Sequence, residues 1–252
     1  MLNTIVTGPA TNAPPLLIVH GLYGSARNWN VIAKRLSEER QVLTVDMRNH
    51  GESPRFDSHS YFDLATDLAD VINAYGGTAD VIGHSMGGKA SMVLALIEPT
   101  CVRRLIVADI APVAYTHTQV HLIHAMRSLD LTKISTRGDA DRQLAAFVED
   151  KGIRAFLLQS LDVKLQRWRL NLDTLEREMD KIIGFPDISG SFVEPTLFLS
   201  GGDSDYVLPE YRETIRAFFP KARFSKIPGV GHWLHAEKPR EFEATANIFF
   251  TT

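Results

Sequence analysis

Gly83-His84-Ser85-Met86-Gly87 sits between Ala79-Asp80-Val81-Ile82, a short β-branched apolar run, and Gly88 to Ile97, a stretch of helical period ended by Pro99. A serine placed in a sharp strand-to-helix turn needs neighbours without Cβ, because the chain on either side passes too close for larger side chains. The turn also puts Ser85 at a helix N-terminus, where free N–H groups and the helix dipole favour an oxygen that develops negative charge. The bare G-x-S-x-G pattern is weak by itself. Its position between a predicted strand and a predicted helix makes it a candidate nucleophile site.

The same alternation extends in both directions. Upstream, Leu16 to Val19 reads as a strand, followed by a glycine loop with Gly21 and Gly24 and a helix near Arg27 to Glu39. Strand Val42 to Val45 then leads to helix Tyr61 to Tyr75, whose Leu64, Leu68, Val71 and Ile72 repeat at helical spacing. Downstream, Leu105 to Val107 reads as strand. After Pro195 the pattern resumes with strand TLFLS, helix Pro209 to Phe219, strand Ala222 to Ile227 and a closing helix Arg240 to Phe250. Strands that alternate with helices predict an α/β fold with a mostly parallel, doubly wound sheet. From Pro112 to about Ile188 the pattern fails and the text becomes charged and helical. The expected organisation is a core of residues 1–111 and 189–252, interrupted by a helical cap of residues 112–188.

A serine hydroxyl is a poor nucleophile until a base takes its proton, and histidine, mostly neutral at physiological pH, is the usual base. His232 is the best placed of nine histidines, in the loop Pro228-Gly-Val-Gly-His-Trp233 after the last predicted strand. Loops above strand ends are where such sheets build their sites. The third group should be a carboxylate that fixes the imidazole tautomer. Asp109, in VADIAP, and Asp205, in GGDSDY, both follow strands and both fit the order Ser, Asp, His; Asp203 reads as a turn residue. The two oxyanion donors expected are the backbone N–H of Met86, directly after the nucleophile, and that of Leu22 in the loop His20-Gly21-Leu22-Tyr23-Gly24.

Composition sets the boundaries. The chain has 252 residues, Lys+Arg 27 against Asp+Glu 30, and formal net charge -3. That balance provides no basic field for a phosphate backbone, so nucleic acid is not an expected partner. Cys101 is the only cysteine, which excludes an internal disulfide and a zinc-type cysteine cluster. No basic leader precedes an apolar run and no run approaches the ~18 residues of a membrane span, so the expectation is a cytoplasmic protein without membrane contact. No cofactor and no metal are expected. A monomer or weak homodimer is the default assembly.

Taken together, the strings VHGLYGS, DMRNHGESP, GHSMGGKA, ADIAPVAY and GHWLHAEKP resemble the α/β-hydrolase fold family, and within it the small YbfF-type bacterial esterases. The resemblance implies hydrolysis of short acyl esters and acyl-CoA thioesters. It also implies that the acid follows the strand carrying DIAP, which selects Asp109, although this chain keeps Asp205 at the position used more widely in the superfamily. A carbon–carbon bond hydrolase using the same three residues, or a small-molecule receptor that retains them, is the alternative on this scaffold.

Other residues have plainer readings beside the functional ones. Asp46, Arg48, Asn49, His50 and Ser53 form a polar loop expected to brace the site floor. His117, His121 and His124 fall at i, i+4 and i+7 but lack a carboxylate companion, so a solvated or site-lining face is expected rather than a metal site. Lys151, Arg154, Lys164, Arg167 and Arg169 read as a solvated helical face, with attraction of an anionic acyl-CoA as the functional alternative. Tyr23, Trp168 and Trp233 are candidate substrate contacts. Phe156, Leu157 and Leu158 read as packing within the cap.

Overall fold

A computed structural model describes residues 1–251. Its centre is a 7-stranded sheet. In chain order the strands are β1 (Thr4–Thr7), β2 (Leu16–Val19), β3 (Val42–Val45), β4 (Ala79–His84), β5 (Val102–Ala108), a separate two-stranded hairpin of β6 (Leu161–Asp162) and β7 (Arg167–Trp168), then β8 (Thr196–Gly201) and β9 (Ala222–Ile227). The spatial order is β1-β3-β2-β4-β5-β8-β9, with every pair parallel except β1 against β3. Strands β2, β3, β4 and β8 are buried along their whole length, as expected where helices cover both faces of a sheet.

The helices are α1 (Asn30–Leu36), α2 (Tyr61–Ala74), α3 (Met86–Ile97), α4 (Val120–Arg127), α5 (Arg137–Leu144), α6 (Lys151–Leu157), α7 (Leu172–Arg177), α8 (Met179–Ile183), α9 (Arg212–Phe218), α10 (Leu234–Glu237) and α11 (Pro239–Thr251). Helix α2 begins at a reciprocal cap between Ser60 and Asp63 and buries the predicted Leu64, Leu68, Val71 and Ile72. Two hydrophobic clusters divide the core. The larger unites α2, α3 and the helices α4 to α8, and the smaller packs α1 and α11 onto the other face of the sheet. Helices α4 to α8 and the hairpin lie between β5 and β8 and add no strand to the main sheet; the hairpin is a strand pair where the sequence reads as helical throughout.

The sequence-based boundaries shift where local geometry overrides propensity. Residues Ala26–Trp29 form a tight 3-10 turn capped by Ser25, so α1 starts later than the periodic pattern suggests. Strand β4 runs on to His84 and α3 begins at Met86, so the turn between them is a single residue, Ser85. Among the described residues, no helix is long and apolar enough to cross a membrane.

Candidate active site

The turn at Ser85 is as tight as its glycines require. A Cβ at Gly83 would lie 2.4 Å from the Gly87 carbonyl oxygen, and one at Gly87 would lie 2.5 Å from the carbonyl oxygens of Val19 and His20. Ser85 itself takes φ 54° and ψ -122°, a conformation L-residues rarely adopt, and surrounding hydrogen bonds hold it there. Its N–H donates to the Ala108 carbonyl (3.1 Å), and its own carbonyl accepts from the Lys89 N–H (3.0 Å), the first turn of α3.

From this turn a line of hydrogen bonds crosses the ends of three strands. The Ser85 hydroxyl is 3.0 Å from His232 Nε2, and His232 Nδ1 is 2.7 Å from Asp109 Oδ2. Asp109 follows β5, is fully buried and, like Ser85, has a left-handed backbone (φ 52°). Its Oδ1 accepts from the Gly201 N–H (2.9 Å), its Oδ2 accepts from the Ser204 hydroxyl (2.5 Å), and its own N–H donates to the Leu199 carbonyl (2.9 Å). With the carboxylate accepting at Nδ1, the imidazole carries that proton and leaves Nε2 free to accept from Ser85. Asp205, the other candidate acid, is exposed and lies outside this network, as is exposed Asp203. Tyr206, two residues past Ser204, stacks on the His232 ring at 4.1 Å between centroids.

Two further histidines hold the frame. His84 Nε2 donates to the His232 carbonyl (2.8 Å) and so ties the loop of one site residue to the strand that precedes another. His20 accepts from the Met47 N–H (2.9 Å), and His50 accepts from the Tyr23 N–H (3.2 Å). Burial pushes His20, His50 and His84 below the ordinary histidine range, which keeps them neutral acceptors and donors. Asp46 takes the N–H groups of Ala26 (2.8 Å) and Glu52 (2.9 Å). The polar loop Asp46 to Ser53 therefore braces the loop Gly21 to Gly24, and a Cβ at Gly21 would come within 3.1 Å of Ser85 Cβ. Leu22 is thereby held beside the serine. Met86 opens α3, where first-turn N–H groups have no intrahelical acceptor.

Ser85, Met86, His84, His20 and His232 line a cavity of about 320 Å³ that also takes in Leu22, Tyr23, Phe156 and Trp233. Tyr23 and Trp233 line this cavity. Trp168 does not: it is buried among apolar side chains and its indole N–H donates to the Met126 carbonyl (3.0 Å), a packing role that removes it from the wall. The basic residues of 151–169 are also absent from the wall. Lys151, Lys164 and Arg167 are exposed, but Arg154 is buried, paired with Asp141 and donating to the Val148 (2.9 Å) and Glu149 (2.8 Å) carbonyls, so it fastens the cap rather than joining a solvated face; Arg169 is partly buried between Glu52 and Asp162. His117 bonds the Tyr206 hydroxyl (2.8 Å) and His124 pairs with Glu176 (2.6 Å), so the three spaced histidines do not converge.

A strand-turn-helix serine, a histidine and an acid above the ends of a parallel sheet define the hydrolase class of α/β proteins, and the chain belongs to the alpha/beta hydrolase family, whose profile it matches over residues 16–245. It is an enzyme of the hydrolase class. The chain is 43% identical over 257 residues to the mouse protein named sn-1-specific diacylglycerol lipase ABHD11, covering 97% of this chain and 83% of that one. Over 232 residues it is 39% identical to Esterase YbfF of Escherichia coli, covering 90% and 89%. Among solved structures, one described as a marine microorganism esterase superposes with a TM-score of 0.92 at 37% identity, covering 99% and 100%. The family resemblance seen in the five quoted strings is thus matched along almost the whole chain.

Proposed function

We propose that the protein is a serine carboxylic-ester hydrolase in which Ser85, His232 and Asp109 act in sequence. The observation that carries this reading is the unbroken line from the Ser85 hydroxyl through both ring nitrogens of His232 to a fully buried carboxylate, at the floor of a cavity. Relatives named esterase and lipase, similar over most of the chain, support the same chemistry.

In the reaction, the Ser85 oxygen attacks the acyl carbonyl carbon while its proton passes to His232 Nε2. Asp109 keeps the ring oriented and stabilises the imidazolium. The N–H groups of Leu22 and Met86 receive the tetrahedral oxyanion, where fixed dipoles act without reorganisation. Collapse expels the alcohol, which takes the proton from His232. A water that gives its proton to the same nitrogen then releases the acid and restores the serine. A thioester follows the same steps with a thiol as leaving group. The cavity volume lies near the lower end of the ~300–1000 Å³ typical of ligand pockets, which favours short to medium acyl groups. Residues 112–188 serve as the cap that excludes water, with Phe156 over the site.

The test is turnover of 4-nitrophenyl butyrate by wild type and Ser85→Ala. The variant should keep its circular dichroism spectrum and lose about 10³-fold or more in kcat. Turnover near the wild-type rate would overturn the proposal. Continuous turnover by the wild type also separates an enzyme from a receptor that retains the same three residues.

A further inference from the structure

Lys89 is a cavity group for which the reaction above has no use. It lies one helical turn after Ser85 on α3, is 1% exposed, and is the only Lys, Arg, Asp or Glu among the described residues that line the cavity. Its ammonium donates to the Ile183 carbonyl (2.8 Å) and the Gly184 carbonyl (2.5 Å), where the segment returning from α8 crosses α3. It also sits over the rings of Tyr115 (4.7 Å to the centroid) and Tyr61 (5.9 Å), both of which line the same cavity.

These partners are dipoles and π faces, and no carboxylate pairs with the ammonium among the described residues. An ammonium has three N–H donors and the two carbonyls use two. A buried charge without a counter-charge is costly, and burial alone pulls the Lys89 pKa down to about 7. Beyond the two carbonyls the ammonium meets only ring faces, and it lines the same cavity as Ser85, which stands four residues earlier at the start of α3.

Resting on the hydrolase reading of Ser85, we infer that Lys89 forms an anion subsite that selects acyl groups ending in a carboxylate, the half-esters of short dicarboxylic acids. The third ammonium donor meets the distal carboxylate in a charge-assisted hydrogen bond, while the near carbonyl lies at Ser85. The apolar wall of the cavity then contacts the intervening methylenes.

The experiment compares 4-nitrophenyl half-esters of succinate, glutarate and adipate with their neutral twins, in which the distal carboxylate carries a methyl ester, on wild type and Lys89→Met. Wild type should favour the half-ester by about tenfold or more in kcat/KM at one chain length. Lys89→Met should bring that ratio to about one, whatever it does to either rate. A lysine that only fastened residues 183–184 to α3 would slow both substrates together and leave the ratio intact, which overturns the subsite. If the variant does not fold, the wild-type ratio decides: a value at or below one for all three lengths overturns the subsite as well. Neutral twins turned over normally beside an absent preference would remove the subsite and leave the esterase reading standing. Failure of every ester, with Ser85→Ala indistinguishable from wild type, would remove both.

Discussion

Replacing Asp109 with asparagine tests the line of hydrogen bonds at its least accessible point. The asparagine oxygen can still accept from the Gly201 N–H at the position now held by Oδ1 (2.9 Å). Its amide nitrogen then occupies the place of Oδ2, facing both the Ser204 hydroxyl and His232 Nδ1 (2.7 Å). An N–H pointed at Nδ1 stabilises the tautomer with the proton on Nε2. That nitrogen then cannot accept from Ser85, and the charge opposing the imidazolium is gone. In a serine protease with the same geometry this change lowers kcat by ~10⁴, equivalent to about 5–6 kcal/mol of barrier. The expected loss for Asp109→Asn on 4-nitrophenyl butyrate is of that order, with KM nearly unchanged. Asp205→Asn, at an exposed side chain outside the network, should stay within about threefold of wild type. Retention of a tenth or more of wild-type kcat by Asp109→Asn, or a thousandfold loss in Asp205→Asn, would refute the assignment of the acid.

Two stability effects follow from backbone and burial. Ser85 sits at φ 54° and ψ -122°, so Ser85→Gly should abolish turnover yet raise stability by about 1–2 kcal/mol, a Tm increase of ~2–8 °C in calorimetry, whereas Ser85→Ala should not. Equal melting temperatures for the two variants would show that the turn carries no strain. Burial holds His59 and His235 down to about 3, and also lowers His20, His50 and His84, so the folded protein refuses protons that the unfolded chain accepts below pH ~6.5. Stability should therefore fall as pH drops from about 6.5 toward 3. His235→Phe, which keeps a ring against Trp29 (4.1 Å) and removes a ring nitrogen that lacks a hydrogen-bond partner, should flatten the slope in urea melts by ~1.4 kcal/mol per pH unit. An unchanged slope would show that His235 does not contribute.

Most of the sheet could be read from sequence because its strands are short apolar runs buried on both faces, and the helices between them keep a 3.6-residue period. Strand β1 could not. Thr4–Thr7 is a four-residue edge strand with two exposed positions, and its pairing with β3 depends on a contact that no local pattern encodes. The hairpin of β6 and β7 is shorter still. Ser85 and His232 were legible because their turns need glycine neighbours and strand-end positions. The residues themselves leave two candidate acids, since Asp109 and Asp205 follow adjacent strands; in the structure Asp109 is buried beside His232 and Asp205 is exposed. Ser204, Tyr206 and His84 went unnoticed because each acts through a loop conformation rather than a motif. Lys89 did leave a signal. The helix MGGKASMVLALI has no polar face, and a lysine within such a helix must place its ammonium inside the protein.

The carboxylate of Asp109 accepts from the Gly201 N–H on the neighbouring strand and from Ser204 just beyond it, and the Asp109 backbone N–H donates to Leu199 of the same strand, so it is not aimed by contacts within its own loop. Its aim is consequently inherited from the pairing of β5 with β8, two inner members of the sheet that cannot slide past each other without opening the core. The helical wall across the cavity is under no such obligation. The accuracy of the line from Asp109 to His232 thus resides in the least deformable layer of the molecule.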